Sequence, residues 1–456
     1  MMMMLMNKLL SSKICKYTDR SVFIVEHSTI ASIFQKHFPG DIVEIKGWVK
    51  SKRKMKENVF IDVNDGSCSK KLQIVVPQQN KNTDITTGAS IAATGKLNTT
   101  ASGQIELQAT KIDILGECSL NKGYPFAPRK IYPSEYIRQY LHLRPRTNKF
   151  ASLLRIRDAL NFEIHNFLHL NGFVNVHTPI LTSSDCEGAG EVFVVTPNSK
   201  QLLKDMRKSH VSLEEAYFNK KAYLSVSGQL HLEAAAHGLC RVYTFGPTFR
   251  AENSKSKHHL SEFYMLEVEM AFTDSIEELI SFIERLIRTI SSEVLNKCSE
   301  DIANFQSTTL DVLEKNVDRF KSEYCAKEGL SKEHEMFLVK HCGGPVFVIN
   351  WPKQIKPFYM KECVNDAIRV SALDLLGPNV GEIVGGSLRE NDYQKLKGRI
   401  PEGNTELDWY LDLRKFGSVP TAGFGLGFER LIQSMLSINN IRDTIPFPRW
   451  AHNCSM

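Results

Sequence analysis

From Tyr243 to Phe272 the alternation of apolar and polar positions is regular enough to sort side chains by face. The string YTFGPTFRAENSKSKHHLSEFYMLEVEMAF reads as two strands joined by a polar loop. On the first, Thr244, Thr248, Arg250 and Glu252 share one phase, and Tyr243, Phe245 and Phe249 the other. On the second, Phe263, Met265, Glu267 and Glu269 oppose Tyr264, Leu266, Val268 and Met270, since successive strand side chains point to opposite faces. One face is apolar. The other carries Arg250, Glu252, Glu267 and Glu269, a set that suits a charged ligand and equally a solvated surface. The loop adds Lys255, Lys257, His258 and His259, side chains able to close over phosphates.

Upstream, Val43, Ile45 and Val49 alternate with Glu44, Lys46 and Lys50, and Val59, Ile61 and Val63 share a face before the Asn64-Asp65-Gly66 turn. LQIVV, SIAATGKL and QIELQATKIDIL follow, so five short strands predict a small barrel such as an OB-fold over 41–118. Phe60 falls in the outward phase, and Lys50, Lys52, Arg53, Lys54 and Lys56 crowd the adjoining loop. An exposed aromatic beside cations is what single-stranded nucleic acid needs, and it is also common on ordinary surfaces. Residues 119–149, rich in Pro, Arg and Tyr, lack a sustained period and read as a linker. A catalytic domain over 150–456 then opens with a helix: Leu153, Ile156, Leu160, Ile164 and Phe167 keep helical spacing up to Gly172. FVNVHTP is an edge strand stopped by Pro179. A second helix spans Asp274 to Asn296, with Asp274 and Glu277 as capping signature and Ile276, Ile280, Ile283, Ile287 and Ile290 on one face. VFVIN and a return strand near Gly385 precede Gly423, Gly425 and Gly427, which alternate on a strand and bare one side of it to a flat ligand.

A chain of 456 residues allows two or three domains. A net charge of +6 permits nucleic-acid binding without demanding it, so local clusters decide. Ten cysteines without a CxxC pair argue against a zinc ribbon or disulfide framework and for a reducing compartment. No apolar run reaches the ~18–20 residues of a membrane span. Residues 1–40 form an N-terminal extension whose first twenty residues carry Lys8, Lys13, Lys16 and Arg20 against Asp19; this is the profile of an organellar transit peptide, or of a merely frayed basic terminus.

Three signatures stand in one order: the helix–strand–Pro179 unit, FRAE…HLSEF, and GFGLGFER. Together they resemble motifs one, two and three of class II aminoacyl-tRNA synthetases. The barrel, YLHLRPRT and IRDTIPFPR are similar to the aspartyl/asparaginyl/lysyl group, and CEGAGEVF, SGQLHLE and KPFYM to its asparaginyl branch. The resemblance implies an α+β chain, an OB-fold anticodon-binding domain followed by an antiparallel sheet flanked by helices. It implies ATP, L-asparagine and tRNA(Asn) as substrates, Mg²⁺ as cofactor, a homodimer built on motif one, and, with the basic leader, a mitochondrial matrix setting.

By the same resemblance, Arg250 joins the α-phosphate to the amino-acid carboxylate, His258, His259 and Arg430 reach the γ-phosphate, and Phe263 and Arg430 sandwich adenine whose edge meets Glu252. Arg250, Arg430 and Glu382 are the catalytic candidates, and Asp374 with Glu382 the metal carboxylates. Glu187, Gln229, His231, Glu233 and Arg389 form the amino-acid set, with Glu233 accepting from the side-chain amide and Arg389 donating to it. Aspartyl relatives carry lysine where Leu232 stands, which weighs against an aspartyl or non-discriminating enzyme. A bare Glu233 facing an aspartate carboxylate at ~4 Å would cost about 4 kcal/mol at an effective dielectric near 20. Phe60, Gln73 and Arg53 are the anticodon candidates. His258 departs from the arginine usual in relatives.

Overall fold

The computed structural model describes residues 28–77, 85–183, 192–254, 256–305, 323–325, 329–364, 366–400 and 405–456. The chain divides into two compact units after Ile131, so the division falls inside the stretch expected as linker. Tyr132 onward belongs to the second unit. There Arg138 forks onto Asp443 (2.9 and 2.7 Å), and buried Arg144 donates to the carbonyls of Ile445 and Pro446 while lying 3.9 Å over the Phe150 ring. Aperiodic sequence hid this because its partners are some 300 residues away.

The first unit opens with helix α1 (Ile30–Lys36) and is a closed barrel of β1 (Ile42–Lys54), β2 (Asn58–Asn64), β3 (Leu72–Pro77), β4 (Ser90–Thr99) and β5 (Ile105–Gly116), ordered β1-β2-β3-β5-β4. Its core is the predicted inward phase: Val43, Ile45, Val49, Val59, Ile61 and Val63 are all buried.

The second unit is built on a nine-stranded sheet. Helix α2 (Asn148–Leu170) leads to β6 (Val174–Asn175), then to β7 (Leu181–Thr182) and β8 (Tyr223–Leu224), which pair apart from the main sheet. Next come α3 (Gln229–Leu239), β9 (Arg241–Phe249), β10 (Glu262–Ala271) and α4 (Ile276–Ile302). After them follow β11 (Glu323–Cys325), α5 (Lys332–Cys342), β12 (Val346–Pro352), β13 (Glu362–Cys363), β14 (Asp366–Gly377) and β15 (Gly381–Leu388). Helix α6 (Asp408–Lys415), β16 (Thr421–Gly427) and α7 (Phe428–Met435) close the fold. The order is β11-β12-β14-β15-β16-β10-β9-β6, with β13 on β14; neighbours are antiparallel except β11–β12 and β6–β9. β6 is a sheet edge, as expected, but it ends at Asn175, short of Pro179.

The two faces of this sheet are the two phases read from the sequence. Tyr243, Leu266, Val268, Met270, Phe424, Leu426 and Val384 pack against α2 and α4 in one core, each large buried side chain worth about 1.5–3 kcal/mol. The opposite face is polar along β10, while Val346, Val348 and Ala372 of β12 and β14 join a second core with Leu230, Tyr410 and Leu411. The predicted cap of α4 needs correcting: Ser275, not Asp274, accepts from the Glu278 N–H, and the helix runs on through a non-helical Cys298 to Ile302. The partner expected for β12 was the strand near Gly385; β14 intervenes, its run LDLLG fully buried and without alternation.

Candidate active site

The polar face of β10 lies beside the bare face of β16. Register pairs Met265 with Gly427, Glu267 with Gly425 and Glu269 with Gly423. The loop after β9 folds back over it, and a cavity of about 280 Å³ results. Its lining contains every residue assigned to ATP: Arg250, Glu252, His258, His259, Phe263, Glu382 and Arg430, together with Met265, Gly425 and Gly427. Gly425 and Gly427 keep one wall at backbone height, as the alternation predicts.

Within the cavity, the Arg250 guanidinium lies 5.8 Å from the Phe263 ring and 4.0 Å from Glu252. Arg430 donates to the Glu382 carbonyl (3.0 Å) and faces its carboxylate at 3.7 Å. His259 meets Ser254 and Ser256 through Nδ1 (3.1 and 2.6 Å) and Glu252 through Nε2 at 3.7 Å. Burial first, then the nearby cations Arg430 and Lys332, hold His259 below its ordinary value; burial and Lys332 do the same for His258, which sits beside Gln433. Both imidazoles are therefore biased toward the neutral, hydrogen-bonding form. Helix α5 adds Glu335, which accepts the Glu382 N–H at 3.3 Å, and Lys332, which donates to the Val380 carbonyl.

The carboxylates assigned to the metal do come together. Asp374 pairs with Gly385 across β14 and β15, and a Cβ added at Gly385 would stand 3.1 Å from Glu382 Oε1 and 3.6 Å from Asp374 Oδ1. Burial and the neighbouring Glu382 push the Asp374 carboxyl up to about 7, against the pull of Lys356, whose ammonium grips both its oxygens at 2.9 and 2.8 Å. Among the described residues no group of three or more His, Cys, Asp and Glu forms a metal cage. Two carboxylates beside a cavity lined by arginines and histidines fit the way Mg²⁺ is held, by one or two acids plus substrate phosphates.

The amino-acid set lies at the other end of the same sheet face. Glu267 accepts from Ser227 Oγ (2.5 Å) and the Gly228 N–H (2.8 Å), fixing the start of α3. Buried Gln229, next along, leaves both ends of its amide without a hydrogen-bond partner among the described residues. His231 lies 5.8 Å from Trp409, its pKa lowered by burial. Glu187 lies outside the described residues.

Glu233 and Arg389 differ from the sequence expectation. Glu233 is not a bare acceptor: it is fully buried, with Oε1 taking Arg414 (2.6 Å) and Thr421 (3.1 Å) and Oε2 taking the Tyr410 hydroxyl. Its charge is thus balanced by Arg414, and the repulsion figure for an isolated carboxylate does not apply. Arg389 forks onto Glu269 (2.9 and 2.8 Å) and donates to Ser387 (2.6 Å). Burial pushes the Glu269 carboxyl up to about 7, while Arg389 pulls it back. Gly423 makes room for this pair, since a Cβ there would fall 1.9 Å from Glu269 Oε2. Tyr410, Arg414, Thr421 and Lys356 were missed. Tyr410 and Arg414 stand four apart on one helix, a legible signal, but nothing in the sequence tells which distant acid they meet.

On the barrel, the three anticodon candidates also converge. Arg53 is registered opposite Phe60, its guanidinium 5.8 Å from the ring, and donates to Gln73 Oε1 (2.9 Å). Gln73 Nε2 donates to Glu106 (3.1 Å), so both ends of its amide are engaged.

A sheet face that gathers arginines, histidines and two acids around a flat glycine wall, in this strand order, defines a class II synthetase domain behind an OB-fold. Family models agree: "tRNA synthetases class II (D, K and N)" matches residues 133–451, and "OB-fold nucleic acid binding domain" residues 43–115. The asparaginyl-tRNA synthetase of Mus musculus is 45% identical over 91% of both chains, and the asparagine–tRNA ligase of Idiomarina loihiensis 42% identical over 90% of this chain and 95% of its own. The crystal structure of asparaginyl-tRNA synthetase from Pyrococcus horikoshii complexed with asparaginyl-adenylate superposes with a TM-score of 0.83 at 30% identity, covering 94% of this chain and 100% of that one. The chain belongs to the asparaginyl-tRNA synthetase family.

Proposed function

We propose that the chain ligates L-asparagine to tRNA(Asn) in two steps at the cavity between β9, β10 and β16. The observation that carries this reading is the meeting of all seven ATP-assigned residues in one cavity, at one end of a sheet face whose other end holds Gln229, Glu233 and Arg389. In the first step an oxygen of the asparagine carboxylate attacks the α-phosphorus of ATP, and pyrophosphate leaves with the electron pair of the broken P–O bond. Both reactants are anions, so the work is positioning and charge neutralisation. Arg250 spans the two anions, Arg430 and the two histidines hold the outer phosphates, and Phe263 supports the base. Mg²⁺ held by Glu382 and Asp374 would offset charge on the departing phosphates; Lys356 then has to release Asp374. In the second step the terminal 3′-hydroxyl oxygen of the tRNA bonds to the acyl carbon and gives up its proton, the bond from that carbon to the phosphate oxygen breaks, and AMP leaves with its electron pair.

Asparagine-dependent ATP–pyrophosphate exchange tests the assignment; exchange driven by aspartate and not by asparagine overturns it. The same proposal includes a homodimer through α2 and β6. Phe162 and Leu170 on α2, Val174 on β6, and Ile180 and Leu181 beyond it are exposed apolar side chains, which a second copy would cover. It also includes a mitochondrial address in the basic leader, which lies outside the described residues; cytosolic retention of a fluorescent fusion carrying residues 1–40 would count against it.

A further inference from the structure

The Glu233 carboxylate is held by three residues outside the amino-acid set, Arg414, Thr421 and Tyr410. Tyr410 and Arg414 occupy one face of α6, and both are buried. Arg414 is anchored by its Nε to the Glu390 carbonyl (2.9 Å), lies 4.4 Å over the Tyr410 ring, and donates to the Tyr410 hydroxyl (3.2 Å) as well as to Glu233. A tyrosine hydroxyl has one proton. Because its oxygen accepts from Arg414, that proton is turned onto Glu233 Oε2. With Thr421 and Arg414 on Oε1, three of the roughly four acceptor positions of a carboxylate are filled.

We propose that Tyr410 and Arg414 are positioning residues for side-chain selection: from α6 they hold Glu233 so that one acceptor position on Oε2 remains, matched to a carboxamide N–H. The proposal rests on the reading of Glu233 as the amide contact. Charge balance points the same way. Glu233 and Glu269 are offset by Arg414 and Arg389, so a neutral side chain enters a balanced cluster, whereas a carboxylate adds an anion beside buried groups whose charges are already paired. The selection then comes from an acceptor without a spare donor beside it, within a neutral set, and not from a bare negative charge.

The test is Tyr410→Phe, which keeps the ring under the guanidinium and removes the hydroxyl that donates to Glu233 and accepts from Arg414. In asparagine-dependent exchange the KM for asparagine is expected to rise about tenfold, and the preference for asparagine over aspartate to fall by a similar factor, with the KM for ATP as internal control. A helix staple with no part in selection would lower Tm or kcat and leave the asparagine KM and the preference where they were; that result overturns the proposal. Arg414→Lys, which retains the charge and loses the fork, is the second variant, expected to shift the same two quantities in the same direction, and it decides the matter if Tyr410→Phe does not fold. Absence of asparagine-dependent exchange in the unaltered chain would instead remove the substrate reading on which this rests.

Discussion

Single residues in this site are chosen for space and charge more than for reactivity. Gly423 is the clearest case. Its absent Cβ makes room for Glu269, for the Val268 carbonyl and for Arg389, so Gly423→Ala should cost about 1–3 kcal/mol by overpacking and raise the KM for asparagine together; chemical denaturation and exchange kinetics measure both. Glu269 offers a pH test. Its carboxyl is raised from 4.5 to about 7 by burial, so it takes up a proton as pH falls through about 7 and its ion pair with Arg389 is lost. The asparagine KM should therefore rise on the acid side of about 7, and this rise should be absent in Glu269→Gln. The sign for stability is opposite. The folded state holds this proton more tightly than the unfolded chain, so its contribution is full below about 4.5 and is lost as pH rises to about 7. The alternation of the hairpin announced Glu269 as a member of the polar face. Its pairing with Arg389, 120 residues on, was not announced.

At the scale of elements, the parts that alternate or repeat were legible and those that are buried on both faces were not. The barrel strands, β9, β10, β16 and α2 follow from period alone, because each has one wet and one dry side. β14 was missed because its second half, LDLLG, is buried at every position and shows no wet–dry alternation, and the segment after Ile131 because short turns held by Arg138 and Arg144 have no period. The barrel gives the element-scale prediction. Phe60, Arg53 and Gln73 come together through β1–β2 and β2–β3 pairing, and Phe60→Ala should weaken tRNA binding by about 1–3 kcal/mol, the worth of one stacked base. Adenylate formation should stay at the level of the unaltered chain. Filter binding and exchange assays on the same preparation separate these; a joint loss would place Phe60 in folding instead.

For the whole molecule, the exposed apolar side chains of α2 and β6 set an assembly prediction. Sedimentation at micromolar concentration should give twice the mass of the chain, and Phe162→Glu, at a side chain 63% exposed, should shift the protein toward the monomer without lowering its Tm. A dimer untouched by that charge would move the interface elsewhere. By itself the sequence determined the two-part architecture, the polar face of the central hairpin and the glycine wall, because these depend on period and residue type, which are local; the phosphate-binding roles rest on resemblance to the family. Only the tertiary structure decided which acid meets which base: Asp374 with Lys356, Glu269 with Arg389, Glu233 with Arg414 and Tyr410. Pairing of buried charges is fixed by where distant strands and helices happen to pack, and no local pattern encodes that distance.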